Sequence, residues 1–486
     1  MNFLFDNSYA RELPECYVAW QPERVPAPRL LFFNHDLAQE LQLALDSTKP
    51  QQLAEVFSGN QVPHGAKPIA QVYAGHQFGH FSPQLGDGRA LLLGEVLNRQ
   101  GQRYDIAFKG SGRTPFSRRG DGKAAVGPML REALMGEAMH ALGVPTTRAL
   151  AVVATGESVY RERTLPGAVL TRVAASHLRV GTFEYFAARG EFDRVRQLTD
   201  YAMARHEAAL VAEPDRYLKF FSAVAQRQAK LLAQWMQLGF IHGVMNTDNM
   251  SISGETIDYG PCAFMEAYDP QTVFSSIDHQ GRYAYGNQPL IARWNLARFG
   301  ETLLPLIHQD EARAVEQVTE IINTFPAWFE QHWWQLAQAK LGVRDDIGYD
   351  TGMALVQDWL MLLQQQHVDW TLAWRRLSDA AAGQPQALRK LFAANSTALD
   401  QWLSRWQAFL TADSSQRMYA QNPIIIPRNH RVEEALIAAS DQGDLAPFNQ
   451  LLEAIRQPYE EHAKRARYAE PAPFEVTEKY QTFCGT

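Results

Sequence analysis

The chain has 486 residues, 46% of them apolar, which is enough to bury a sizeable core and too many for a disordered chain. Its 46 Lys and Arg against 53 Asp and Glu give a net charge of −7, which argues against a nucleic-acid-binding protein. Three cysteines (Cys16, Cys262 and Cys484) make no disulfide framework, and no stretch approaches the roughly 18 apolar residues of a membrane span. The opening MNFLFDNSYARELP has neither the basic segment nor the long apolar run of a secretory signal, so the expectation is a soluble cytoplasmic protein.

Residues 1–68 are mixed, Pro-containing and without a strong period, and read as an amino-terminal extension. Residues 69–178 are strand-like with Gly turns: 90–97, 104–109, 149–154 and 168–173 read as strands. Between the second and third, 128–142 predicts a helix. Pro128 suits its first turn, Gly143 and Pro145 end it, and Leu130, Leu134, Ala138 and Leu142 form a buried stripe. Strands, one long helix and more strands make the layout of a kinase-like small lobe. Residues 179–345 read as the large lobe, with a long amphipathic helix at 219–238 leading into a loop at 242–260. Beyond 300 the chain turns mostly helical and rich in Trp and Gln, as at 325–341 and 355–366, with 346–486 forming a helical carboxy-terminal region. A Pro-punctuated connector interrupts it at 417–432. The fold class expected is α+β, a protein-kinase-like bilobal fold with a mostly helical extension.

The loop 242–260 reads HGVMNTDNMSISGETIDYG. Kinase-like enzymes commonly carry His, an Asp two residues on, a metal-binding Asn, and a second Asp just before Gly. His242, Asn249 and Asp258 fit this plan, but Val244 stands where the base should be. A valine cannot take a proton, whereas Asp248 can. Asn249 and Asp258 supply the one or two side-chain oxygens that Mg²⁺ takes beside nucleotide phosphates. The pattern points to nucleotide chemistry other than ordinary phosphorylation.

Lys109 ends an apolar strand and precedes Gly110-Ser111-Gly112, a position from which it can hold phosphate as a point charge. A carboxylate must orient it. Glu132 is well placed and Glu137 is its rival; five residues apart, they point about 140° apart on a helix, so one faces inward. The glycines of Gly86-Asp87-Gly88-Arg89 and Gly120-Asp121-Gly122-Lys123 let backbone N–H groups approach phosphate, although Gly-Asp-Gly is also a common turn. Arg172 and Arg179 are phosphate-clamp candidates. His76 and His80 (HQFGH) have zinc-helix spacing, but the Glu of a metalloprotease is missing and Gly79 weakens a helix there, so no such site is expected.

Longer strings carry a resemblance: YAGHQFGHFSPQLGDGRA at 73–90, AFKGSGRTPFSRRGDGKA at 107–124, REALMGEAMHALGVPTTRAL at 131–150, the loop at 242–261, and DHQGRYAYGNQP at 278–289. Over nearly its whole length the chain resembles the selenoprotein O family (YdiU in bacteria), pseudokinase-like protein adenylyltransferases. The resemblance implies a kinase-like fold that binds ATP in reverse, so that the α-phosphate meets the acceptor. It implies transfer of AMP from ATP, or UMP from UTP, to Ser, Thr or Tyr hydroxyls of proteins, with release of pyrophosphate. Gly86, Gly88, Arg89, Lys109, Asp121, Gly122, Arg172, Arg179 and Asp258 match nucleotide-binding positions, and Glu132 matches the partner of the lysine. Asp248 matches the proton acceptor, and Asn249 and Asp258 match ligands of Mg²⁺ or Mn²⁺. Cys484 matches the place where animal relatives carry selenocysteine. Some bacterial relatives pair it with a cysteine near 274–276, where this chain has Phe274-Ser275-Ser276; Cys262 is a substitute candidate, although an unpaired, buried Cys262 is the simpler expectation. A monomer that binds neither nucleic acid nor membrane is expected. Two alternatives stay open. One is a γ-phosphoryl kinase with Asp248 as base, against which Val244 counts. The other is a silent scaffold, against which the intact Lys109, Glu132, Asn249 and Asp258 count.

Overall fold

A computed structural model describes residues 3–45, 47–392 and 397–483. Short runs rich in Leu, Val, Ile and Phe pair into one antiparallel sheet. Its strands are β1 (Tyr17–Ala19), β2 (Arg29–Phe33), β3 (Ile69–Gln71), β4 (Ala90–Leu97), β5 (Arg103–Lys109), β6 (Ala124–Ala125), β7 (Arg148–Tyr160) and β8 (Thr164–Ala174). The order across the sheet is β1-β3-β4-β5-β8-β7-β2, with β6 also paired to β8. The segment read as an aperiodic extension thus supplies both outermost strands of this path, β1 and β2, each too short to show a period in sequence.

Both faces of the sheet are covered. On one, Leu37, Leu53 and Phe57 of the amino-terminal segment pack against Ile106, Phe108, Val153 and Val169. Across the other runs helix α1 (Val126–Ala141), packed on β7 and β8. The stripe expected from its sequence is too narrow a description, because Met129, Ala133, Met135, Glu137 and Met139 are buried as well. Its outer side is roofed by two carboxy-terminal helices, Asn429–Ile437 and Ala446–Ile455, which return from the far end of the chain.

A helical layer follows: α2 (Val180–Ala187), α3 (Arg216–Leu238), α4 (Gln288–Ile307) and α5 (Glu311–Leu341). Helix α5 accords with the helical character expected beyond 300; it takes in the 325–341 segment and continues through Pro326. One apolar core joins α1, α3, α4 and residues 424–455; a second gathers Trp359, Trp370, Trp374, Trp402 and Trp406. The irregular connector shrinks to 422–428, since Ser414–Gln421 is helical. Among the described residues no helix is long and apolar enough to cross a membrane.

Two features of this frame place the site. Gly239 ends α3 in the left-handed region (φ 69°), and Phe240–Ile241 pairs with Ala263–Phe264, which closes the intervening loop. The β5–β8 register sets Ala107 opposite Arg172, so Lys109, two residues on, shares its face of the sheet with Arg172. Leu134, fully buried in α1, tests the core: Leu134→Ala should cost about 2–5 kcal/mol, read as a lowered urea midpoint.

Candidate active site

Lys109 and Arg172 reach from β5 and β8 toward α1 and the loop. Lys109 Nζ contacts Glu132 Oε1 and lies 2.7 Å from Asp258 Oδ1. Arg172 Nη1 donates to the same Oδ1 at 2.7 Å, and Arg179 Nη1, from the residue capping α2, donates to Oδ2 at 2.8 Å. Three cations therefore converge on one carboxylate. Burial alone would raise the Asp258 carboxyl, but Lys109, Arg172 and Arg179 outweigh it and hold it well below the usual carboxylate range. Asp258 adopts φ 65°, an uncommon conformation for a residue with a side chain. Arg179 Nε is buried without a hydrogen bond, so the cluster holds donor capacity that Asp258 does not use. Of the two glutamates on α1, Glu132 meets Lys109, whereas Glu137 pairs with Arg148 and Arg456 on the other side.

Asp248 lies in a short turn, Thr247–Asn249, locked from three sides. Thr247 Oγ1 accepts from His76 N at 2.7 Å and donates to Glu184, whose other oxygen lies 2.6 Å from His76 Nδ1. Arg179 Nη1 donates to the Asp248 carbonyl at 2.6 Å. Gln77 Nε2 donates to Asp248 Oδ2 at 3.2 Å, while Oδ1 is buried without a hydrogen bond. Burial pushes the Asp248 carboxyl up to about 6, against the pull of Arg179. Only glycine fits at 75, since a Cβ there would stand 2.5 Å from Asp248 Oδ1. Asn249 Nδ2 donates to the Val244 carbonyl at 2.9 Å, which commits the nitrogen and leaves the amide oxygen as the free donor atom for a ligand. Position 244 thus contributes a backbone carbonyl where a base was expected.

The HQFGH motif is no zinc helix. Gly75–Gln77 and His80–Ser82 form a hairpin turned by Phe78 (φ 51°) and Gly79 (φ 85°). It packs on the Asp248 turn, with Phe78 N donating to Asn246 Oδ1 at 3.0 Å and Tyr283 Oη to the same oxygen at 2.6 Å. Gln77, Glu184, Thr247 and Asn246 were not singled out in the sequence. The strings 73–90 and 242–261 contain Gln77, Asn246 and Thr247 and were the available signal, whereas Glu184 lies in none of them; residues meeting across the fold leave no local spacing to read.

The glycine pieces are close-approach points. Gly86 (φ 72°) has its missing Cβ 2.4 Å from the Phe116 ring, and Gly122 (φ 68°) has its own 2.0 Å from the Gly112 carbonyl oxygen. Asp121 is held by Arg161 at 2.8 and 2.9 Å, which lowers its carboxyl, and it caps Lys123 N at 3.0 Å. Gly86, Gly88, Arg89, Asp121 and Gly122 line one cleft of about 1970 Å³ with Lys109, Glu132, Arg172, Arg179, Asp248, Asn249 and Asp258. The carboxy-terminal segment forms part of its wall. Thr482 N donates to Phe274 O at 2.8 Å, Ser276 N to Thr482 O at 3.0 Å, and Thr482 Oγ1 to Pro261 O at 2.7 Å. Cys484 lies outside the described residues. Cys262 is a buried free thiol, pushed up to about 11 by burial.

A cleft that gathers cations, a buried carboxylate of raised affinity for protons and two oxygen donors has the equipment of a nucleotide-handling transferase. The family model described as protein adenylyltransferase SelO matches residues 1–456. Relatives named protein nucleotidyltransferase YdiU are 60% identical in Cereibacter sphaeroides over 488 residues, covering 100% of both chains. In Chromobacterium violaceum the identity is 60% over 481 residues, 98% of this chain and 100% of the relative. In Rhizobium johnstonii it is 54% over 493 residues, 100% and 97%. The chain belongs to the SelO family of protein adenylyltransferases, and so to the nucleotidyltransferases.

The two α1 glutamates should separate binding from stability. If Lys109 binds nucleotide phosphate, loss of its charge-assisted hydrogen bond in Glu132→Gln should weaken ATP binding roughly tenfold or more, read by calorimetric titration. Glu137→Gln should instead lower the denaturation midpoint and leave ATP affinity unchanged.

Proposed function

We propose that the chain transfers AMP from ATP to Ser, Thr or Tyr hydroxyls of proteins, in a protein-kinase-like two-lobed fold. The observation that carries this is the pairing of an apolar Val244 with a proton-accepting Asp248 beside the cation cluster at Asp258. Lys109, Arg172 and Arg179 would take the β- and γ-phosphates, trading part of their hold on Asp258 for the more highly charged polyphosphate. The acceptor hydroxyl passes its proton to Asp248, its oxygen bonds to the α-phosphorus, and the bond from that phosphorus to the β-phosphate oxygen breaks, releasing pyrophosphate. Rate enhancement comes from placement and charge compensation.

Asn249 and Asp258 would hold Mg²⁺ or Mn²⁺. Among the described residues no group of three or more His, Cys, Asp and Glu could hold a metal, so phosphates and water would complete the coordination, as Mg²⁺ prefers. The Asn249 oxygen fits that role, its nitrogen being committed to Val244. The ion, when bound, offsets phosphate charge.

Label transfer to protein from α- and γ-labelled ATP tests the reading. Label should come from the α position alone. Asp248→Asn, which keeps the shape of the side chain, should reduce it roughly 10²–10⁴-fold. Transfer from the γ position would mean a kinase; transfer from neither would favour a binding scaffold.

A further inference from the structure

Behind the phosphate-facing arginine lies a buried relay that the chemistry above does not use. Arg172 Nε donates to His177 Nε2 at 3.2 Å. His177 Nδ1 lies 3.0 Å from Asp105 Oδ2, an oxygen that also accepts from His177 N at 2.8 Å. Asp105 Oδ1 accepts from Arg205 Nη2 at 2.6 Å, and Arg205 comes from the helix Phe192–His206. The sheet places these groups together: Asp105, Ala107 and Lys109 alternate onto one face of β5, and the register sets Asp105 opposite Ala174 just before the chain turns to His177.

We propose that His177 is a positioning residue for the nucleotide: its Nε2 lone pair fixes Arg172 Nε and aims the outer guanidinium nitrogens into the cleft. The inference rests on the reading of Arg172 as a phosphate-binding residue.

The tautomer follows from the partners. An arginine Nε–H can only donate, so His177 Nε2 must be the acceptor and Nδ1 must carry the hydrogen given to Asp105. A protonated imidazole would turn an N–H toward the guanidinium. Burial pushes the His177 imidazole down to about 4, which keeps it neutral, although Asp105 pulls the other way. Asp105 stays ionised because Arg205 and His177 outweigh its burial. His177 thus presents a fixed acceptor at the back of Arg172, while Arg172 Nη1 meets Asp258 Oδ1 at 2.7 Å at the front. A guanidinium held at both ends keeps its planar fork oriented, and the side-chain entropy lost on gripping a phosphate is reduced in advance.

A histidine that served only to satisfy Asp105 would have the same burial, so the test must separate its two nitrogens. In His177→Asn the amide nitrogen takes the place of Nδ1 and keeps Asp105 bonded, but nothing reaches Arg172. In His177→Gln the amide oxygen takes the place of Nε2 and keeps the acceptor. ATP affinity with Mg²⁺ should fall about tenfold in His177→Asn and stay within about threefold in His177→Gln. In an Arg172→Ala background neither substitution should change it further, because the effect passes through Arg172. The reverse order of the two variants, or a loss that persists without Arg172, would overturn the proposal. If Arg172→Ala binds ATP as the parent does, the phosphate-binding reading fails, and the inference with it. Nitrogen-15 spectra of the histidine-labelled parent read the tautomer without reliance on either variant's folding. A protonated Nε2 at His177 would also reject the proposal.

Discussion

The convergence of Lys109, Arg172 and Arg179 on Asp258 is the constraint around which the rest of the molecule is arranged. Ions taken from water into a protein interior are stable only when paired and hydrogen-bonded with good geometry. Here the partners come from β5, β8, the cap of α2 and the loop after α3. Each element must therefore hold its place for the others to remain compensated. The sheet register supplies two of the cations on one face, and the short ladder between Phe240–Ile241 and Ala263–Phe264 returns the loop that supplies the anion. Three cations set against two carboxylates, Asp258 and Glu132, leave a positive excess suited to a ligand of several negative charges.

A second requirement is close approach. The Asp248 turn and the hairpin above it fit because Gly75 has no side chain to strike the carboxylate, and Gly86 and Gly122, which line the same cleft, are likewise sites of close approach. These glycines belong to strings whose length marked them before any contact was visible. The same packing gives Asp248 its raised proton affinity: it is largely buried in the wall of the cleft, with Gln77 as its one side-chain donor among the described residues. The carboxy-terminal segment, part of the cleft wall, is tied to residues 274–276 by backbone hydrogen bonds. The return of the chain's last fifth to α1 and to the cleft makes the first and last thirds parts of one core rather than separate attachments.

Much of the secondary structure was legible. The strands at 90–97 and 104–109 and the helices at 128–142 and 219–238 match their elements closely, because their apolar periods and end signals are local. The short edge strands β1 and β2 were not legible, because three to five residues carry no period. Helix α5 passes through Pro326 without a break. Helix α1 is buried beyond its apolar stripe because distant segments roof it on sides that its own pattern cannot announce.

The sequence by itself determined the chemical types: a valine where a base was expected, an aspartate four residues later, an asparagine and a second aspartate in the same loop, and basic residues near strand ends. Those follow from identity and spacing along the chain. Only the tertiary structure decided which groups meet. It set Glu132 rather than Glu137 on Lys109, turned Asn249 by its bond to Val244, placed Gln77 over Asp248, and set His177 behind Arg172. The physical reason is that hydrogen bonds and ion pairs are formed between side chains a few ångströms apart in space, and strand register and helix packing, not distance along the chain, bring those side chains together.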